Sequence, residues 1–293
     1  MTLTSLHTHT RFCDGKDDTE AMCAAAWERG FASIGISAHA PIEKAGFSTG
    51  WHLPRARLAE YLDAVRSAKK RWEGKIAVYL GLEVDFIPGI MGPRDREYRE
   101  MGLDYTIGSV HYLLPPGETS FGPEEGFTVD SPLEEFETGL GRYFNGDGEA
   151  MMAAYWDAVA EMVRAGGFDI LGHLDLVKKN NRGNRWFSPA GRLYREKSEA
   201  LAGPIAASGA VVEVNTGGLN RGKTAETYPS ARILSLLHEK GVPALITGDA
   251  HEKDHLGGHY ETARQTLFAA GYREQTLFEG RTGDKACWRK DEL

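Results

Sequence analysis

Short apolar runs rich in β-branched residues recur along the chain, and each precedes a segment whose apolar positions have helical spacing. These runs predict seven strands, at residues 2–6, 33–37, 76–82, 105–109, 169–172, 210–214 and 244–247. Leu58, Leu62 and Val65 lie on one face of one intervening segment, and Leu234 and Leu237 do the same in another. This alternation predicts an α/β fold built from repeated βα units around a parallel sheet.

The segment 112–148 breaks this pattern. It is rich in glycine, proline and acidic residues, its periodicity is weak, and it is too long for an ordinary connection between a strand and a helix. We therefore predict an insertion that closes over an active site or decorates its rim. A helix with apolar positions from Met151 to Val163 is predicted to follow it. Because no linker or fixed repeat divides the chain, we expect one domain over residues 1–293.

Composition narrows the classes of function. With 34 Lys and Arg against 42 Asp and Glu, the formal net charge of -8 disfavours a general nucleic-acid binder. A small anionic substrate would need a local cationic pocket. Three widely spaced cysteines without a C-x-x-C pair are typical of a reducing compartment. We expect a cytoplasmic protein without a membrane span, since no signal pattern or apolar run of about 20 residues is present. The oligomeric state is not indicated.

Residues that can bind metals stand at the ends of the predicted strands. They are His7, His9, His39, Glu83, His111, His173, Asp249 and His251. In a parallel barrel, the carboxyl ends of all strands open on one face, so these side chains should face one another. Neutral imidazoles and carboxylates are ligands that Zn, Mn and Fe accept, and a carboxylate such as Glu83 can bridge two ions. The pattern predicts a divalent metal site, in which Glu83 would suit a bridging role if the site holds more than one ion.

A single buried histidine is more often a hydrogen-bonded core residue than a ligand. The recurrence of ligand-type residues at successive strand ends argues otherwise here, because burying them all without metal would leave costly unpaired groups. Four further histidines do not stand at strand ends. We interpret His238 as a helix-face residue and His52, His255 and His259 as loop residues, and contact of His255 or His259 with substrate stays open.

Several segments resemble the polymerase and histidinol phosphatase (PHP) family, in the family's order. They are His7-Thr8-His9, Gly35-Ile36-Ser37-Ala38-His39, Gly81-Leu82-Glu83, Gly108-Ser109-Val110-His111, Gly172-His173-Leu174-Asp175 and Thr247-Gly248-Asp249-Ala250-His251. The resemblance runs from about residue 3 to residue 255. The Phe12-Cys13-Asp14-Gly15 turn and the stretch 213–219 are similar to the histidinol-phosphatase branch of that family.

The branch implies a distorted (β/α)7 TIM-like barrel with its metal site at the carboxyl ends of the strands. It implies two or three divalent ions, and catalytic roles for Glu83 and Asp249. The resemblance assigns three ligand groups: His7, His9, Glu83 and Asp249; Glu83, His111 and His173; and Asp14, His39 and His251. Many relatives carry histidine at the position of Asp14, which could also be an ordinary turn aspartate.

The implied reaction is hydrolysis of a phosphate monoester, L-histidinol phosphate, in histidine biosynthesis. Its phosphate needs cationic donors, and Lys179, Arg185 and Arg221 are our candidates among the basic loop residues. Glu213 and Asn215 could contact the substrate's amine or imidazole, or could belong to a simple turn.

Two other functions remain open at this point. A phosphodiesterase or exonuclease acting on nucleotides, or a phosphatase for another small ester, would use the same metals. A metal-stabilised binding module is the alternative from another class, but it predicts lost ligands, whereas every motif position is filled here.

Overall fold

The computed structural model describes residues 1–115, 117–118 and 126–293. The strands are β1 (Thr4–Ser5), β2 (Ser33–Ile36), β3 (Ala77–Asp85), β4 (Tyr105–Ser109), β5 (Tyr112–Leu113), β6 (Phe127–Thr128), β7 (Ile170–Leu171), β8 (Val211–Asn215), β9 (Ala244–Thr247), β10 (Glu274–Thr282) and β11 (Lys285–Glu292). The α-helices are α1 (Thr19–Glu28), α2 (Leu58–Arg71), α3 (Arg96–Glu100), α4 (Leu133–Phe144), α5 (Gly148–Ala165), α6 (Arg192–Ser208), α7 (Gly217–Asn220), α8 (Ala231–Glu239) and α9 (Tyr260–Ala269).

Seven parallel strands form a nearly closed barrel in the order β1-β2-β3-β4-β7-β8-β9. The gap between β9 and β1 is spanned just beyond their ends, where Thr8 and Ala250 form a parallel bridge. There the backbone N–H of His9 donates to the carbonyl of Ala250 at 2.8 Å. The distorted seven-stranded barrel expected from the resemblance is confirmed.

The third strand extends further than its apolar pattern predicted. Residues 76–82 were expected, but β3 continues to Asp85, so Glu83 lies within the strand and does not follow it. The prediction that Glu83 comes after the strand is therefore wrong in detail. A strand that buries both faces does not end where its apolar run ends, because paired polar residues can continue it. Glu83 and Asp85 consequently share one face.

Tyr105 fills the middle of the barrel. Its ring is fully buried, and its hydroxyl donates to the carbonyl of Leu6. The ring occupies the space beside Gly35 and Gly81, where an added Cβ would lie 2.2 and 2.4 Å from its atoms. The glycines of the two family-like motifs thus make room for one large core residue from β4.

The helices cover the barrel in two groups. Residues of α1, α2 and α9 pack with the neighbouring strands in one core, and residues of α4, α5, α6 and α8 pack in a second. The predicted helix over Met151 to Val163 is confirmed as part of α5, with Met151, Trp156 and Met162 buried.

The hairpin β10–β11 closes the barrel at the amino ends of its strands. Phe278 packs into the interior cluster with Tyr105, and Arg281 forms an ion pair with Asp169. Asp291 accepts a hydrogen bond from the backbone N–H of Thr2 at 2.7 Å. The apolar pattern did not predict this hairpin, because β11 is mostly charged or half exposed and resembles a polar tail.

The predicted insertion 112–148 contains the antiparallel pair β5–β6 and helix α4. Its residues 116 and 119–125 lie outside the described part of the chain. The segment between β6 and α4 is attached to the barrel side by Asn180, whose side-chain amide donates to the carbonyls of Val129 and Ser131 at 3.2 and 3.0 Å. Among the described residues, no helix is long and apolar enough to span a membrane.

Candidate metal centre

The ligand-type residues predicted at strand ends meet at the carboxyl end of the barrel. His7 and His9 are fully buried there, and Glu83 is 1% exposed. Asp14 joins them from the loop after β1, at 3.0 Å from His251. The parallel strand order brings these distant positions together, as the sequence pattern predicted.

Glu83 lies at the centre of this cluster. Its Oε2 is 3.1 Å from Nε2 of His7, 3.5 Å from Nε2 of His9 and 3.0 Å from Nδ1 of His39. Its Oε1 faces the other way and lies 2.8 Å from Nε2 of His173. The two oxygens therefore face different imidazoles. A carboxylate placed in this way could bridge two ions.

A third group of side chains lies on the outer side of His9. It consists of His9, Asp14, His39 and His251, and one ligand-type atom of each lies within 4.8 Å of the others. Oδ1 of Asp14 is 3.5 Å from Nδ1 of His9 and 3.8 Å from Nε2 of His39. The geometry matches the third group assigned by the resemblance and adds His9 to it.

Asp249 occupies a strained backbone position beside the first group. Its φ of 45° lies in the left-handed region that non-glycine residues rarely adopt. Oδ1 is 3.3 Å from Nε2 of His9, whereas Oδ2 accepts a hydrogen bond from Nη2 of Arg221 at 3.0 Å. The strained turn directs one oxygen to the histidines and the other to a cation.

The central carboxylates are held in the ionised form that metal binding requires. Burial opposes ionisation of Glu83 and Asp249, but neighbouring imidazoles, together with Arg221 for Asp249, hold both pKa values well below the usual range. Burial lowers the pKa of His39 to about 3, so its imidazole is neutral. Although burial also acts on His111, nearby carboxylates raise its pKa to about 10. Asp249 is thus held as an anion, which disfavours it as a proton donor.

Several buried atoms at the centre lack a hydrogen bond among the described residues. They are Nε2 of His7, Nε2 of His9, Nδ1 of His39 and Oε2 of Glu83. Buried polar atoms without partners are costly, and these ones point at one another within ion-pair distance. Cations between them would satisfy all of them, so the donor set fits divalent metals of the Zn, Mn and Fe type.

Two further carboxylates, Asp85 and Glu213, hold the candidate ligands from behind. Oδ1 of Asp85 is 2.7 Å from Nδ1 of His111, and its Oδ2 is 2.9 Å from Nε2 of His52. Oε2 of Glu213 is 2.9 Å from Nδ1 of His7. Asp85 also lies close enough to His39 and His111 to join a ligand group, but both of its oxygens are occupied by imidazoles.

Sequence reasoning missed these partners or misread them. His52 lies in a loop, as interpreted, but the sequence did not reveal that it is buried there with its Nε2 2.9 Å from Oδ2 of Asp85. The spacing of two between Glu83 and Asp85 was a usable signal, the same as in His7-Thr8-His9. Asp130, which comes from the insertion and lines the cavity above the cluster, had no such signal.

The interpretation of Glu213 as a possible substrate contact is wrong. It is fully buried and occupied by protein donors. Asn215 accepts from the backbone of Gly217 at the start of a short helical turn, as the alternative reading of a simple turn had it. His238 does lie on helix α8, as predicted.

A cavity of about 960 Å³ lies above the cluster. Among the described residues that line it are Lys179 and Arg221, two of the three cations predicted to bind phosphate. Arg185 is not among them, and its guanidinium is paired with Glu137 on a half-exposed surface. Its predicted contact with phosphate stays a prediction without structural support.

The PHP domain family matches residues 5–217. A Deinococcus radiodurans protein named as a probable histidinol-phosphatase is 29% identical over 274 residues, covering 92% of this chain and 95% of that protein. The Bacillus subtilis histidinol-phosphatase is 26% identical over 268 residues, covering 87% and 96%.

Two solved structures have the same fold. A candidate histidinol phosphatase from Listeria monocytogenes has a TM-score of 0.77 at 25% identity, covering 88% of this chain and 99% of that one. The histidinol phosphate phosphatase of Lactococcus lactis, solved with zinc, L-histidinol and phosphate, has a TM-score of 0.69 at 19% identity, covering 98% and 99%. The match over residues 5–217, which is more than half of the 293-residue sequence, shows that this chain belongs to the PHP domain family.

Proposed function

We propose that this protein is a metal-dependent phosphomonoesterase that hydrolyses L-histidinol phosphate to L-histidinol and phosphate, in histidine biosynthesis. The observation that carries the proposal is the central position of Glu83. Its two oxygens face separate imidazole sets at the base of one cavity, 3.1 Å from His7 and 2.8 Å from His173. This arrangement would allow one carboxylate to hold two ions, as a two-metal hydrolase could use it.

The described residues would hold two or three ions. Two of the groups follow the family resemblance: His7, His9, Glu83 and Asp249, and Glu83, His111 and His173. The third is Asp14, His39, His251 and the neighbouring His9, whose ligand-type atoms all lie within 4.8 Å of one another. When bound, divalent ions stabilise developing charge on phosphoryl oxygens and lower the pKa of water. The protein's own part is to keep Glu83 and Asp249 ionised and to fix the imidazoles in place.

The substrate is supported by the relatives. Two proteins named as histidinol-phosphatases match nearly the full length of this chain, at 29% and 26% identity. Each of the family-like motifs contains a histidine, aspartate or glutamate able to bind metal, so a barrel that has lost its chemistry is disfavoured.

The cavity has charges of both signs. Lys179 and Arg221 supply donors for a phosphate. Asp130, Glu134 and Glu135 also line the cavity, and their negative charge suits a substrate whose remaining part carries an amine and an imidazole. The same carboxylates would repel the backbone of a nucleic acid, as would the net charge of -8.

The test is steady-state hydrolysis by protein whose metals have been counted by elemental analysis. L-Histidinol phosphate would be compared with a nucleoside monophosphate, an oligonucleotide and an aryl phosphate. We expect histidinol phosphate to have the highest kcat/KM by orders of magnitude, with two or three metals bound. Faster cleavage of the oligonucleotide would replace the proposal with a nuclease, and a protein that binds no metal would remove its basis.

A further inference from the structure

Glu213 accepts four hydrogen bonds inside the barrel. Oε2 accepts from Nδ1 of His7 at 2.9 Å and from the hydroxyl of Thr247 at 2.8 Å. Oε1 accepts from the backbone N–H of His173 at 2.5 Å and from the side-chain amide of Asn215 at 3.0 Å. Each carboxylate oxygen of Glu213 therefore has two protein donors. Because the residue is fully buried, solvent does not contact it.

We infer that Glu213 is a positioning residue that keeps a proton on Nδ1 of His7 and thereby leaves Nε2 of that ring free to bind metal. The two ring nitrogens are chemically coupled, because in a neutral imidazole only one of them carries hydrogen. The nitrogen opposite Glu213 is a buried atom that lacks a hydrogen bond among the described residues. It points to Glu83 and Asp249, at 3.1 and 3.7 Å.

The same carboxylate also places a ligand of the second group. It holds the backbone of His173 at the end of β7, while the imidazole of His173 contacts Oε1 of Glu83. Glu213 therefore joins His7 after β1 to His173 after β7 through one buried side chain. Carboxylates in this position behind a metal-bound histidine set its orientation and raise its basicity.

Glu213→Gln gives a specific test of this role. The backbone N–H of His173 and the amide of Asn215 can only donate, and the carbonyl of Asn215 is committed to the backbone N–H of Gly217 at 2.8 Å. The glutamine oxygen must therefore face these two donors. Its NH2 group must then face His7 and Thr247, so Nδ1 of His7 becomes an acceptor and the proton moves to Nε2. The variant is isosteric and its hydrogen bonds are satisfied, yet the metal-binding nitrogen is blocked.

Thr247→Val is the matched control. It removes one of the four donors to Glu213 and keeps both the carboxylate and its bond to His7. If Glu213 only supported the packing of the barrel end, both variants would affect metal binding alike. If it sets the tautomer of His7, only Glu213→Gln weakens metal binding.

The measurement is zinc binding to the full chain, by competition with a chromophoric chelator and by elemental analysis after dialysis. For Glu213→Gln we expect affinity at one site to fall by about 10- to 100-fold, a typical effect of removing such a partner. Thr247→Val should stay within about threefold of the parent protein. Equal zinc affinity in Glu213→Gln and the parent would overturn the inference, as would equal losses in both variants.

A second measurement does not depend on how well the variants fold. Long-range ¹⁵N–¹H NMR of the zinc-loaded parent protein reports which nitrogen of His7 carries hydrogen. We expect a proton on Nδ1, and a proton on Nε2 would contradict the inference. The inference rests on the metal centre of the proposed function and not on its substrate. A parent protein that binds no divalent metal would therefore defeat the proposed function itself, whereas a zinc-binding parent with an unaffected Glu213→Gln variant would defeat only the role of Glu213.

Discussion

Oδ1 of Asp85 accepts a hydrogen bond from Nδ1 of His111 at 2.7 Å, two residues beyond the central carboxylate of the same strand. Strand β3 thus places two acids, Glu83 and Asp85, on one face, and the two make different contacts. Glu83 faces the imidazole nitrogens at the centre, and Asp85 holds one of those rings from behind. The pKa of Asp85 is lowered despite its burial, because His111 and His52 both donate to it.

Asp85→Asn should weaken catalysis without unfolding the protein. The amide removes the charge that orients His111, and we expect kcat/KM to fall by about 10- to 100-fold. His52→Gln should have a smaller effect, since the hydrogen bond of Nε2 of His52 is to Asp85 and not to a candidate ligand. In a double-mutant cycle, His52→Gln should add little to Asp85→Asn. Fully additive losses would show that His52 acts by another route.

Lys179→Met and Arg185→Met form a matched pair for phosphate binding. Lys179 lines the cavity, whereas Arg185 pairs with Glu137 outside its described lining. Loss of a charged donor costs about 1.5–3 kcal/mol, so Lys179→Met should lower kcat/KM by about 10- to 100-fold. Arg185→Met should stay within about twofold. The reverse order of effects would restore Arg185 as the phosphate contact.

Removal of divalent metal should abolish activity and lower the melting temperature. Ions that bind only the folded chain stabilise it by about 4 kcal/mol at a thousandfold excess over Kd. For a chain of this size, that corresponds to a decrease in Tm on the order of 10 °C. Calorimetry after dialysis against a chelator measures the shift, and zinc or manganese should restore both properties. Unchanged activity in metal-free protein would rule out the proposed chemistry.

Gly35→Ala should destabilise the barrel, because its methyl group would lie 2.2 Å from the hydroxyl oxygen of Tyr105 and 2.8 Å from its ring. Overpacking of this kind costs about 1–3 kcal/mol of unfolding free energy. In Gly141→Ala, the added Cβ in helix α4 would have nothing within 4 Å. Because alanine favours the helix over glycine, this variant should be more stable by about 0.5–1 kcal/mol. Urea unfolding of the two variants compares them directly. Equal stabilities would mean that Tyr105 can move aside at little cost.

The sequence pattern predicted most strands of the barrel and the convergence of ligand-type residues at their ends, because both follow from local features of the chain. The division of these residues into ligand groups came from the family resemblance. Apolar runs mark strands, and β4 and β9 have the predicted bounds, residues 105–109 and 244–247. Because parallel strands share one carboxyl end, side chains at those ends must converge there wherever the chain runs between them. The hairpin β10–β11 was not predicted, since most of its residues are charged or exposed and its buried apolar residues, Leu277 and Phe278, form only a short run.

What the sequence determined by itself is therefore the fold class and the identity of the candidate metal ligands, because both depend on periodicity and strand order. The tertiary structure decided how these ligands are used. It turned Glu213 away from the cavity to hold His7, buried His52 against Asp85, and separated Lys179 from Arg185. These outcomes depend on which side chains face each other across different strands and loops, and such contacts leave no periodic trace along the chain.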